Sequence, residues 1–206
     1  TFSAIESLLS FSSTPRAKLQ HEFDSIFGHT ISAECPPYET QYGAGIIFAQ
    51  AQRMGDITAF YRAFGVQVSD NANERADHIA VELEFLSTLA FREATSIIEG
   101  QDEHAEAVQD AQRKFLTEHL GAWSLSFCER LERKAECVGS ADRGFYGALA
   151  TCLCAFVRDE LAHAGIAVDS LGAIEPTRFD FEPEGCTFQC GTAGEPILAN
   201  LPGFQV

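Results

Sequence analysis

Three places in this sequence bring together side chains that can do chemistry. His78 and Glu82 stand one helical turn apart in "ERADHIAVELEFLSTLAF", residues 74–91, with Asp77 directly before the histidine. Glu118 and His119 adjoin in "KFLTEHLGAWSLSF", residues 114–127, with Trp123 one turn further on. Cys186 and Cys190 frame the turn-like "EGCTFQCG" near the end of the chain. An imidazole beside a carboxylate can move protons as a general acid or base. The same pair can floor a groove and hold a guanidinium through charge-assisted hydrogen bonds. Two thiolates at the Cys186–Cys190 spacing can share zinc, but a four-coordinate shell needs two more ligands, for which only Cys35 or a histidine offers itself. Signatures that would point elsewhere are missing: the chain has no glycine-rich phosphate cradle, nucleophile elbow or HExxH pair. No residue is assigned as a catalytic nucleophile, and no cofactor is called for.

The acid and imidazole groups are conspicuous because of where helical periodicity puts them. With successive residues about 100° apart, Ile79, Leu83, Phe85, Leu86 and Leu89 form one arc. Glu82 falls inside that arc, His78 lies on its edge, and Asp77 and Glu84 point away. On the next long pattern Leu116, Leu120, Trp123, Phe127 and Leu131 make a stripe in which His119 lies between Phe115 and Trp123. A buried carboxylate costs several kcal/mol unless it is paired, and positions i and i+4 allow His78 and Glu82 to pair with each other. A satisfied core histidine is the plain reading of any one of these. The same oddity on two helices favours a shared polar groove between them, with Glu82 holding His78 in position and Asp77 capping the helix start.

The elements that must position these residues are helices. Residues 3–11 and 14–27 read as two short helices, the second with Pro15 in its first turn and Gly28 as its stop. Pro36-Pro37 forbids helix in the aromatic, acidic connection "CPPYETQYG", which carries Tyr38 and Tyr42. Residues 46–65 form one or two helices, 74–91 the central one, 102–137 a helix bent at Gly121, and 141–165 a long, mostly apolar one. No alternating strand pattern and no internal repeat occurs. The expected fold is all-α: a single multi-helix domain over residues 1–165, followed by a mostly irregular appendage, 166–206, docked on the helical body. That appendage holds four of the seven prolines, while Phe179, Phe181, Phe188, Ile197, Leu198 and Phe204 favour docking.

Composition narrows the partners. At 206 residues and 46% hydrophobic the chain is long and apolar enough for a real core. Thirty acids against 14 bases give a net charge of −16, which repels nucleic acid and attracts a cationic peptide. Seven cysteines, an odd number scattered in sequence such as "TCLCAFV", look like reduced packed thiols. With no spanning stretch and no basic leader before an apolar run, a cytoplasmic location without membrane insertion is expected.

The residues also resemble a known family. "ERADHIAVELEFLSTLA" is similar to the E-x-x-D-H-[hydrophobic]-x-x-E-L-E-F-L signature of the TorD/DmsD/NarJ-type chaperones, the redox-enzyme maturation proteins. "KFLTEHLGAWSLSF" resembles their second signature, "FDSIFGHTISAECPPYETQYG" their Pro-Pro-aromatic loop, and "GFYGALATCLCAFV" their Phe-Tyr-x-Ala-Leu helix. The four stretches occur in the family's order, and the resemblance spans residues 15–165. The Pro-Pro-Tyr-Glu-Thr-x-Tyr-Gly wording is most similar to the dimethylsulfide, ethylbenzene and (per)chlorate enzyme branch. Two departures are Ala76, where the family often has proline, and the cysteine-bearing tail after Gly165.

The resemblance implies a cytoplasmic, all-helical, non-catalytic chaperone, occurring as a monomer or domain-swapped homodimer. Its implied partners are the twin-arginine signal peptide and the apo catalytic subunit of a molybdenum-cofactor oxidoreductase, held until cofactor insertion is complete and export can proceed. The implied peptide-binding region includes Tyr38, Asp77, His78, Glu118, His119 and Trp123; the residues themselves add Glu82 as a supporting acid and a rim of Tyr38, Tyr42 and Trp123. Two rival readings are a small helical metal-dependent hydrolase built on His78 and His119, and a helical adaptor for another cationic partner.

Overall fold

The structure, a computed structural model, describes residues 2–28, 34–43, 47–69, 72, 74–138, 143–171 and 174–176. Among them are seven α-helices and no strand: α1 (Phe2–Leu9), α2 (Arg16–Phe27), α3 (Ile47–Ala63), α4 (Ile79–Ile98), α5 (Asp102–Glu118), α6 (Leu120–Val138) and α7 (Gly144–His163). Single 3-10 turns occupy Glu39–Gln41 and Val168–Ser170. The fold is all-α, as the periodicity requires.

The helix ends follow local chemistry. Pro15 has φ −58° at the cap of α2, and Gly28 ends that helix at φ 70°, a value that favours glycine. Asp102 and Glu103 in the first turn of α5 complement the positive end of its dipole. α3 runs straight through Gly55 and Asp56, so residues 47–63 are one helix and not two.

Two boundaries differ from the sequence reading. The central helix begins at Ile79, after His78 in an extended conformation (φ −77°, ψ 138°), so residues 74–78 do not follow its wheel. The 102–137 helix is not one bent rod: it breaks at His119 (φ −124°, ψ −102°) into α5 and α6. Gly121 explains the tight restart. A Cβ there would lie 2.3 Å from the carbonyl oxygen of Leu116 and 2.8 Å from Leu161 Cδ2, closer than side chains tolerate. The missing side chain lets α6 begin against the end of α5 with α7 alongside.

α4 and α5 form one antiparallel pair and α6 and α7 another, and between them lies the core. The stripe Leu116, Leu120, Trp123, Phe127 and Leu131 is buried throughout, as are Ile79, Phe85, Leu86 and Leu89 of α4. Phe60, Tyr61, Phe85 and Phe115 cluster with Tyr61–Phe85 and Phe85–Phe115 centroids 4.6 and 4.9 Å apart, within the range of favourable edge and offset packing. Of the tail, Ile166, Val168, Leu171 and Ile174 pack on this core. Glu175 accepts the backbone N–H of Gly43 at 2.9 Å and pairs with Arg130. The expected docking of Phe179 and the later tail residues, and the Cys186–Cys190 pair, lie outside the described residues.

Candidate functional site: two cavities divided by the 34–43 segment

Segment 34–43 is the hinge of the site. Because Pro36-Pro37 bars helix, the chain runs extended past Tyr38 before the short Glu39–Gln41 turn. It is bonded to the entry of α4: Glu39 N–H donates to Asp77 O (2.9 Å) and Ile79 N–H to Pro37 O (3.0 Å). Asp77 secures the crossing. Fully buried, its carboxylate accepts from Thr40 Oγ1 (2.7 Å), Thr40 N (3.2 Å), and Arg75 Nε and Nη2 (2.9 and 2.7 Å). The Arg75 guanidinium also lies over the Tyr38 ring, 4.7 Å from its centroid. Asp77 is thus a structural clamp; it is neither the cap of α4 nor on the far side from the core. His78 is the cap, its Nδ1 accepting the N–H of Ala80 at 3.2 Å.

The expected His78–Glu82 pair does not form. His78, ahead of the first helical turn, points to Tyr38, whose ring meets it edge-on at 5.2 Å, and to Glu74, with Nε2 4.0 Å from Oε2. Burial depresses the His78 pKa below its ordinary value, against the opposing pull of Glu74 and Asp77. Glu82 is fully buried one turn in, and its Oε2 accepts the indole N–H of Trp123 at 3.1 Å. Burial, then the charge of Glu39, pushes the Glu82 carboxyl well above the usual range.

A second acid and imidazole do meet, across 80 residues of sequence. His119 Nδ1 lies 3.2 Å from Glu39 Oε2, and both side chains are only 7% exposed. His119 owes its position to the α5–α6 break, and Phe60 and Phe115 pack around its ring at 5.8 and 5.4 Å. Tyr42 and Trp123 are interior residues rather than rim: each is 1% exposed, their rings are 5.1 Å apart, and the Tyr42 hydroxyl donates to Pro36 O at 3.0 Å.

Two separate cavities result, with consecutive residues of segment 34–43 lining one each. Tyr38, His78 and Glu74 belong to an apolar groove of about 630 Å³ walled by Phe27, Ile79, Leu83, Phe127, Leu131, Tyr146, Leu149 and Leu153. Glu39, Tyr42, Glu118, His119 and Trp123 line a smaller, polar pocket of about 220 Å³ with Asp56 and Arg53. Arg53 reaches across that pocket to donate to Tyr42 O. The single groove shared by His78 and His119 is therefore replaced by two. For the same reason the two histidines do not converge on one substrate as the hydrolase reading required. Among the described residues no cluster of three or more histidines, cysteines and acids could hold a metal ion. Cys35, suggested as a further ligand beside Cys186 and Cys190, is fully buried, its thiol pushed up to about 12 by burial. None of the helices in the described residues is long and apolar enough to cross a membrane.

Sequence reasoning missed Glu39, Thr40, Arg75, Glu74 and the apolar wall contributed by α2 and α7. Glu39 and Thr40 were in view in "PPYETQYG", but a loop has no period from which burial can be read. The α7 wall was hidden by a helix apolar on most faces, where no single stripe marks a groove.

The described residues thus place a buried carboxyl and imidazole cluster between an apolar groove and a polar pocket. The family model described as nitrate reductase delta subunit matches residues 2–129, which include every site residue above except those of α7 and part of α6. The chain belongs to this family, the TorD/NarJ group that its motifs resemble. It is 40% identical over 77 residues to the chlorate reductase assembly chaperone protein of Ideonella dechloratans and to the selenate reductase assembly chaperone protein of Thauera selenatis, covering 37% of this chain and 39% of each relative. It is 30% identical over 146 residues to the chaperone protein TorD of Vibrio parahaemolyticus, covering 71% of this chain and 64% of that protein. In each case the match spans less than two thirds of the relative's own length.

Proposed function

We propose that this chain is an assembly chaperone for the catalytic subunit of a molybdenum-cofactor reductase. It holds the apo subunit by its twin-arginine signal peptide until the cofactor is in place and export can follow. The observation that carries the reading is the composition of the larger groove: almost wholly apolar walls with one carboxylate, Glu74, at the rim beside Tyr38 and His78. A signal peptide offers the complement, an uncharged apolar run preceded by arginines.

Magnitudes assign the roles. An exposed arginine–carboxylate contact stabilises by about 0–1 kcal/mol, whereas burying one leucine-sized side chain stabilises by about 1.5–3 kcal/mol. The apolar run therefore supplies most of the affinity, and Glu74 with the −16 net charge sets register and speeds encounter. The polar pocket with Asp56, Glu39 and Glu118 is a second place for a cation. The reading involves binding and no reaction step.

Calorimetric titration with a peptide carrying two arginines and an apolar run tests it. Ala80 is exposed in the first turn of α4 and lines the groove, so Ala80→Trp fills the groove without touching the core. The variant is expected to weaken binding at least tenfold, and replacing both arginines of the peptide by alanine to weaken it by less. Undiminished binding by Ala80→Trp would sink the assignment of the groove.

A further inference from the structure

The tail is tied to the helical body beside the apolar groove. Gly43 N–H donates to Glu175 O at 2.9 Å, Tyr42 and Pro176 face each other as an antiparallel bridge, and Glu175 pairs with Arg130. Both anchors adjoin groove walls. Arg130 lies between Phe127 and Leu131 on α6, and Tyr42 is four residues from Tyr38, at most about 14 Å along the chain. Beyond the anchor, residues 177–195 carry four acids and one arginine, whereas residues 196–206, "PILANLPGFQV", carry no charge and include Ile197, Leu198, Leu201 and Phe204. The 19 residues from 177 to 195 can span up to about 60 Å, far more than the path from Pro176 to the groove requires.

We infer that residues 196–206 occupy the apolar groove of their own chain, and that the apolar run of a client must displace them. The groove's chemistry selects this segment. Glu74 is the one carboxylate among the described residues that line it, and its walls are otherwise almost wholly apolar, which suits an uncharged stretch and excludes the acidic one before it. The anchor selects this groove. Phe91, Ile97 and Ile98 are also exposed and apolar, but they lie toward the end of α4 away from Asp77 and segment 34–43, where the tail is held. Because the tether never lets the segment diffuse away, it meets the groove at an effective concentration on the order of 1 mM. A segment that by itself binds with a dissociation constant on the order of 0.1 mM then fills the groove about nine-tenths of the time and weakens a client about tenfold. Between clients the apolar walls are thereby covered rather than left facing water. The docking stands on the groove and the anchor, whereas the competition rests on the signal-peptide reading.

The test uses the whole chain, first with no peptide present. With a photo-reactive residue at Ala80, which is exposed and lines the groove, irradiation should attach a residue within 196–206, located by peptide mass mapping, and the product should keep the mass of one chain. The same photo-reactive residue at Thr95, which lines a different cavity, should not attach there. The full-length double variant Leu198→Asp with Leu201→Asp puts two charges into the uncharged segment. It should lose the crosslink at position 80 and, in calorimetric titration, bind a twin-arginine peptide about tenfold more tightly than the natural chain does. No attachment from position 80 to residues 196–206, crosslinks that join two chains, or equal peptide affinity in the natural and variant chains would overturn the inference. A crosslink to 196–206 that the double variant abolishes, with no peptide bound by either chain, would uphold the docking and contradict the signal-peptide reading alone.

Discussion

His119 and Glu39 come from helix break and loop, 80 positions apart, and meet at 3.2 Å with both side chains nearly closed off from water. This contact joins the α5–α6 corner to the segment that divides the two cavities. It is thus where the architecture of the core and that of the binding surface depend on each other.

Removing one member of such a pair leaves a buried polar group without its partner. His119→Ala is expected to cost about 1–3 kcal/mol, the range for leaving a buried hydrogen-bonding group unsatisfied. Urea unfolding followed by the fluorescence of Trp123, the chain's single tryptophan, measures it. The double variant Glu39→Gln with His119→Gln, which keeps hydrogen-bonding groups but no charge, should recover most of the loss. A cost below about 1 kcal/mol for His119→Ala would mean that the contact is not formed in solution.

Glu82 titrates in the opposite sense to an ordinary surface acid. Its folded pKa is raised, so the native chain binds this proton more tightly than the unfolded chain does. The associated stability is fully present below the unfolded value of 4.5 and is lost as pH rises through the folded value. Glu82→Gln keeps an acceptor for the Trp123 N–H and cannot ionise. Unfolding midpoints taken from pH 5 to 8 should decline less steeply in this variant than in the natural chain; parallel declines would contradict the assignment. Glu82→Ala, which strands the indole N–H, should cost about 1–3 kcal/mol.

His78 responds to acid. Its folded pKa lies below the ordinary 6.5, so its stabilising effect is present above that value and is lost as pH falls through the folded one. Burial is the main cause; the helix start acts in the same sense, because neutral Nδ1 accepts the Ala80 N–H and an imidazolium has no lone pair to do so. His78→Ser supplies a cap that does not titrate in this range, whereas His78→Ala should cost about 1 kcal/mol. Comparing both variants with the natural chain between pH 5 and 7.5 should show the acid-induced loss in the natural chain alone. Its persistence in His78→Ser would place the titrating group elsewhere.

What could be read without coordinates was what repeats every 3.6 residues. The buried stripe from Leu116 to Leu131 and the apolar arc from Ile79 to Leu89 are positions on a helix, and periodicity locates them. The break at His119 has Gly121 as its one local sign, and the packing around that glycine involves both the Leu116 carbonyl just before it and Leu161, from a helix some 40 residues later in the chain. Asp77 and His78 were misplaced because a wheel assumes that the helix has begun, and histidine is not among the preferred caps that would have marked the start. Glu82 was correctly placed among apolar neighbours, but its partner is Trp123 on another helix, a pairing that no spacing encodes. Glu39 illustrates the same limit from a loop. The polar residues were thus recognisable as out of place, while their partners depended on tertiary packing.

The most direct test of the account is to ask where a client peptide lies. A photo-reactive residue can be placed at Ala80, in the apolar groove, at Ala122, in the polar pocket, or at Thr95, on a separate stretch of α4. Each labelled chain is irradiated with a twin-arginine peptide, and the crosslinked residue is found by mass spectrometry. The account expects the apolar run of the peptide to attach at position 80 and not at position 95, with any attachment at position 122 confined to the arginine end. Crosslinks that favour position 95, or an apolar run that attaches at 122 and spares 80, would contradict it.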